Sequence, residues 1–274
     1  MILEQEDWKE PVCPLERPCS CGNPSHHHHE RIPIPEIIAE CDRLFNRENM
    51  EELGRHLRTW REKAQETGDR EGELTILSEM MGHYRMTGDR EHGISAVRDG
   101  FALMRELGMT GTVSTGTILL NGATALKSFG ETEEALNCYR EAFRCYNTNL
   151  PPDDVRYAGL FNNMAAAYAD TGDTPQAEVY YRKALDILKH SGGLMDSAVT
   201  HVNLAELYNH QNPEDPRIQA ELECALACFN SPDAQRDGYY AHTCRKCASA
   251  FGQLGFFRDE MELNKRADEI YERS

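Results

Sequence analysis

The sequence predicts an all-α fold, a solenoid of stacked helix pairs, and three observations carry that prediction. Apolar residues recur at three- and four-residue steps through most of the chain. Glycine turns interrupt them at a fixed period, with Gly88, Gly130 and Gly172 each 42 residues apart. Small residues hold their place in that frame: Gly93, Ala135 and Ala177 follow the turns, and Gly100, Ala142 and Ala184 come seven positions later.

The elements follow in order. Residues 1–32 form a leader rich in Cys, His and Pro, and residues 33–274 form the solenoid. A first pair, over 35–66, has helical periodicity without the small-residue signature and suits a divergent cap. Repeats are expected over 74–108, 116–149, 158–191, 198–232 and 241–274. The stretch "LFNNMAAAYADTGDTPQAEVYYRKALDI" shows the mechanics of one. Phe161, Met164, Ala165 and Tyr168 make one stripe, and Gly172 allows the reversal at low steric cost. Ala177, Tyr181 and Ala184 make the facing stripe, the alanines permitting close approach and the aromatics filling the space beside them. Two later copies keep the frame less strictly. One has Ala205, Tyr208 and Ala225 with "HQNPEDPR" at its turn; the other has Ala248, Phe251, Gly255 and Ala267, with Glu260 and Asn264 at small and aromatic positions, as suits a terminal helix facing water. "GMTGTVSTG", from Gly108 to Gly116, lacks the lysine of a phosphate loop and reads as a linker between repeats.

This order of small residue, tyrosine, glycine turn, alanine, aromatic and alanine resembles the tetratricopeptide repeat over about 200 residues. The 42-residue spacing, with "NNMAAAY" and "AEVYYRKALDI", is similar to the kinesin light chain type of these repeats. The resemblance implies a right-handed superhelix of about five repeats plus the divergent N-terminal pair. It implies no motor subunit, because the chain has no heptad segment for a coiled coil.

In such solenoids the first helix of each repeat lines a concave groove. Two positions before the small residue of that helix the sequence places Glu79, Asn121, Asn163, Asn203 and Lys246. An asparagine offers both a donor and an acceptor, so a row of them can hydrogen-bond the backbone of an extended peptide whatever its side chains. In the resembled subtype, asparagines at this place contact bound peptide, which extends to Asn121, Asn163 and Asn203. The competing expectation is that these amides bond to neighbouring helices and set the angle between repeats. The same frame adds Asn162, Lys127 and Arg85, with Thr124, Glu206 and Asn209, as groove neighbours. Nothing reproduces the lysine-rich clamp by which other repeat proteins hold a C-terminal carboxylate, so chaperone tails are not the expected ligand.

Composition bounds the partner. Acidic residues outnumber basic ones 46 to 29, for a net charge of −17, which argues against nucleic acid and favours neutral or basic proteins and peptides. The N-terminus is acidic where an export signal would be basic, and no apolar run reaches membrane-spanning length. Most of the ten cysteines fall at helical spacings on apolar faces, as reduced core residues of a cytoplasmic protein. The leader "CPLERPCSCGNPSHHHHE" leaves two readings open. Cys13, Cys19, Cys21 and His26 are zinc ligands in type and sufficient in number for a tetrahedral shell, but their spacing is not that of a standard finger. A proline-rich flexible tail is the other reading, and the solenoid needs no cofactor. No phosphate loop, GxSxG elbow or HExxH occurs, so no enzymatic activity is expected. The resulting expectation is a binding scaffold or adaptor; its rivals are a peptide-responsive regulatory sensor and a zinc module with the repeats as a docking arm.

Overall fold

The computed structural model describes residues 31–273 and, among them, twelve α-helices and no strand. They follow one another as six helical hairpins: α1 (Ile34–Asn46) with α2 (Met50–Thr67), α3 (Arg70–Thr87) with α4 (Arg90–Glu106), and α5 (Val113–Ser128) with α6 (Thr132–Asn149). The series continues with α7 (Arg156–Asp170) and α8 (Thr174–Ser191), α9 (Leu194–Gln211) and α10 (Arg217–Asn230), and α11 (Gly238–Gln253) and α12 (Phe257–Tyr271).

Local chemistry starts and stops these helices. Asp69, Asp89, Asp173 and Asp237 each accept a hydrogen bond from a backbone N–H three residues on, which satisfies a donor the first turn leaves open. Between α7 and α8, Gly172 takes φ 80°, the left-handed conformation that lets the chain reverse in a few residues. Thr112 caps α5 by accepting from the N–H of Thr115 at 3.1 Å. The helix therefore begins at Val113, and the expected linker 108–116 is shortened, its last four residues forming the first turn of α5.

Within each repeat the small residues meet. Ala135, Ala142, Ala177, Ala184, Ala225 and Ala267 are fully buried. Aromatic rings fill the flanks, as where Tyr168 and Tyr180 stack with centroids 5.5 Å apart. These two tyrosines also pack against both halves of the core, one running from Ile32 to Ala184 and the other from Ala165 to Ala267. Polar bonds tie α8, α9 and α10 together. Buried Glu221 pairs with Arg182 at 2.7 Å and with His201 at 2.6 Å, while the Tyr208 hydroxyl accepts from Arg182 and donates to Glu178. In the last hairpin Glu260 does not simply face water. Its carboxylate lies against Gly252, where any larger side chain would overlap it, so a missing side chain on α11 makes room for an oversized one on α12. Cys224 is exposed and not a core residue, whereas Cys41, Cys145, Cys244 and Cys247 are buried.

The layering follows from which helices touch. The odd-numbered helices contact one another in sequence from α3 to α11, and no pair of even-numbered helices makes a comparable contact. The odd helices are therefore the inner layer, where the perimeter is shorter. The first helix also meets the eleventh. Phe45 and His242 have ring centroids 5.3 Å apart, and Arg245 bridges Glu48 at 2.5 Å and Asp268 at 2.8 Å. Gly238 lies so close to α1 that a Cβ there would sit 2.8 Å from the Asn46 Cα. A Gly238→Val substitution should therefore push α1 off α11, at a cost of about 1–3 kcal/mol from overpacking. Hydrogen exchange is the check: amides of α1 should lose protection while those of α5 to α8 keep it.

Candidate functional site

The inner layer carries every solenoid residue expected at the site. Glu79 and Arg85 lie on α3, Asn121 and Lys127 on α5, Asn162 and Asn163 on α7, Asn203 on α9 and Lys246 on α11. All are half-buried except Lys246, which is exposed.

The asparagines divide into two kinds. Asn121 donates from Nδ2 to the Ser78 hydroxyl at 2.8 Å, joining α5 to α3, and its Oδ1 is buried with no hydrogen-bond partner. Asn203 donates to Asn162 Oδ1 at 3.1 Å, and Thr200 donates to the same oxygen at 3.1 Å, joining α9 to α7. Asn162 is thus an acceptor for its neighbours. Asn163 makes no hydrogen bond with any described residue through its side chain. The amides bridge successive repeats, and they still leave an unused oxygen on Asn121 and an unused amide on Asn163.

Charge is distributed unevenly along the same face. Burial, and then the charge of Asp42, push the Glu79 carboxyl up to about 7. Burial also lowers the pKa values of Arg85 and Lys246, and Arg85 and Lys127 depress Lys246 further. Lys246 reaches solvent, which limits how far burial can lower it. His242, one helical turn before Lys246, is lowered to about 4 by burial and then by Lys246 and Arg85, so its imidazole is neutral at pH 7. Lys127 pairs with Asp170 at 3.0 Å, and burial raises Glu206 although His210, Lys246 and Lys127 pull it the other way.

Ser78, Thr200 and His242 adjoin the expected residues, and the sequence reading did not include them. His242 was detectable in principle, since it stands four residues before Lys246 on the same helix face. Ser78 and Thr200 matter only through partners about 40 residues away, on the preceding or following inner helix. Cys13, Cys19, Cys21 and His26 lie outside the described residues. Among the described residues no cluster of three or more His, Cys, Asp or Glu side chains could hold a metal ion, and no helix is long and apolar enough to cross a membrane.

Residues 115–155 and 158–191 match a family model described as tetratricopeptide repeat. No curated protein sequence matches the chain significantly. Solved structures share its fold. BtubC (BKLC) from P. vanneervenii is 20% identical, with 89% of this chain and 92% of that one covered at a TM-score of 0.50. A variant form of the putative kinesin light chain TPR-like repeats from Podosopora anserina is 15% identical, with 73% and 97% covered at 0.50. The apo form of the quorum sensor NprR from B. thuringiensis is 13% identical, with 87% and 65% covered at 0.54.

The raised Glu79 pKa has a consequence for stability. The folded chain keeps a proton there that the unfolded chain releases near pH 4.5, so this contribution to folding is complete below 4.5 and lost as pH rises through about 7. Glu79→Gln should match the parent protein in thermal melts at pH 4. At pH 8 it should be more stable by about 1–3 kcal/mol.

Proposed function

We propose that this tetratricopeptide-repeat protein is a non-enzymatic adaptor that holds an extended peptide, or such a segment of a partner protein, along its inner helical layer. One observation carries the reading. The polar groups that face inward are not all consumed by the fold: Asn121 Oδ1 is buried without a partner, and the Asn163 amide, one repeat further on, bonds to no described residue. A buried acceptor without a donor costs about 1–3 kcal/mol. The Asn163 side chain can pair with the backbone of a peptide laid along the groove, and a small shift of Asn121 toward that peptide would uncover its oxygen and give it a donor as well. Backbone pairing of this kind fixes where a segment lies without demanding one particular sequence, which suits an adaptor.

A second reading, a sensor whose curvature changes on binding a peptide, is favoured by the meeting of α1 with α11. That contact rests on a ring pair, a glycine and a branched ion pair, few enough for a ligand inside to shift it. The similar structure of a quorum sensor is in keeping with it.

The test is a quantitative capture of partners from cell extract by the intact protein and by Asn163→Ala. Asn163→Ala should lose captured partners while its stability stays within about 0.5 kcal/mol of the parent, because it removes no side-chain bond within the fold. Equal capture by both proteins would exclude the groove. Asn121→Ala provides the contrast, since it also removes the bond to Ser78 and should lower stability.

A further inference from the structure

None of the expected groove residues lines an open cavity of about 310 Å³ where α2, α3 and the cap of α4 meet. Gly54 and Arg58 of α2, His83 of α3 and the cap residue Asp89 stand around it. Gly54 has no side chain, and two others close over it: a Cβ there would sit 2.6 Å from His83 Nε2 and 3.2 Å from Arg58 Nη1. The two nitrogens are therefore near neighbours at one spot on α2. Neither side chain makes a hydrogen bond or ion pair with a described residue.

His83 is only 6% exposed, and its Nδ1 is enclosed without a partner. Burial, and then the charge of Arg58, lower its pKa, so at pH 7 the imidazole is neutral and carries one ring proton. Buried N–H groups are left without an acceptor more rarely than buried acceptors are left bare, which puts that proton on Nε2. The cavity thus receives donors from Nε2 and from an unpaired guanidinium, and no described residue accepts from either. Its acids are partly engaged. Asp89 accepts from the His92 N–H at 3.2 Å and faces His92 Nδ1 at 2.8 Å, and Glu51 pairs with Arg55 at 3.3 Å. Each carboxylate still has lone pairs to offer. Met50 and Tyr84 add apolar surface to the same lining.

We propose that this cavity binds a free apolar amino acid, its carboxylate held by Arg58 and His83 Nε2 and its ammonium facing Asp89 and Glu51. The inference does not depend on the groove reading. A guanidinium takes a carboxylate through two parallel N–H···O bonds, and the imidazole N–H supplies a third. A phosphate would bring a second negative charge against Asp89 and Glu51, and a simple amine would leave Arg58 and His83 unanswered. A molecule with both charges answers both sets of groups. Small-molecule sites run from roughly 300 to 1,000 Å³, and a cavity at the lower end suits one amino acid with its side chain against Met50 and Tyr84.

The experiment is titration calorimetry of the full-length protein at pH 7 with L-leucine, L-methionine and L-phenylalanine. Each is compared with two relatives that lack one charge, as 4-methylpentanoate and 3-methylbutylamine do for leucine. Saturable binding of at least one amino acid is expected, about tenfold or more tighter than either relative. Arg58→Gln should weaken it by about tenfold or more with the melting temperature unchanged, since Arg58 is exposed and unpaired. Asp89→Asn keeps a capping oxygen for α4, and should weaken the amino acid while leaving the deaminated acid as it was. No saturable binding by any of the three amino acids, or binding that Arg58→Gln leaves within twofold of the parent, would overturn the site. A deaminated acid that binds as tightly as its amino acid would overturn the ligand class.

Discussion

The close approach of small residues across each repeat is the constraint on which the rest of this molecule depends. With Ala177 and Ala184, or Ala135 and Ala142, fully buried at the crossing, two helices come nearer than larger side chains would allow, and the tyrosines beside them set the tilt. Repeated along the chain, that geometry brings the odd helices together on one side and spreads the even ones on the other. Curvature is thus a property of side-chain size. On the inner face the amides of Asn121, Asn162 and Asn203 then join successive repeats.

How much of this could be read in the sequence depends on the range of the interaction. Helices and their pairing are local: the Gly172 reversal, the aspartate caps and the alanine spacing all act within a few residues, and the all-α solenoid follows from them. Interactions over one repeat were half legible. The asparagine positions could be placed on one face, but that Asn121 reaches Ser78 and Asn203 reaches Asn162 depends on how far each repeat is rotated from the last. The exchange of volume between Gly252 and Glu260 is of the same kind, since each residue alone looks like a departure from the pattern. Interactions across the whole chain were not legible. Nothing in the local pattern around Glu48 or Arg245 tells that they meet, 197 positions apart.

The electrostatics carry a similar lesson about scale. A net charge of −17 describes the far field of the molecule and governs solubility and the partners it repels at a distance. The near field of the inner layer is set by a handful of groups whose hydration the fold has reduced. Glu79 and Asp42 at one end are both raised by burial, whereas Arg85, Lys127 and Lys246 gather further along.

The meeting of α1 with α11 changes the topology of access. An open solenoid can be approached from the side, so a loop in the middle of a folded protein can enter it. A solenoid whose first and eleventh helices touch is a hoop, and a hoop admits a chain end by threading or admits a loop only when the hoop parts. The Arg245 bridge to Glu48 and Asp268 is then a clasp. For a segment held as proposed, the opening of that clasp would limit how quickly an internal loop could enter.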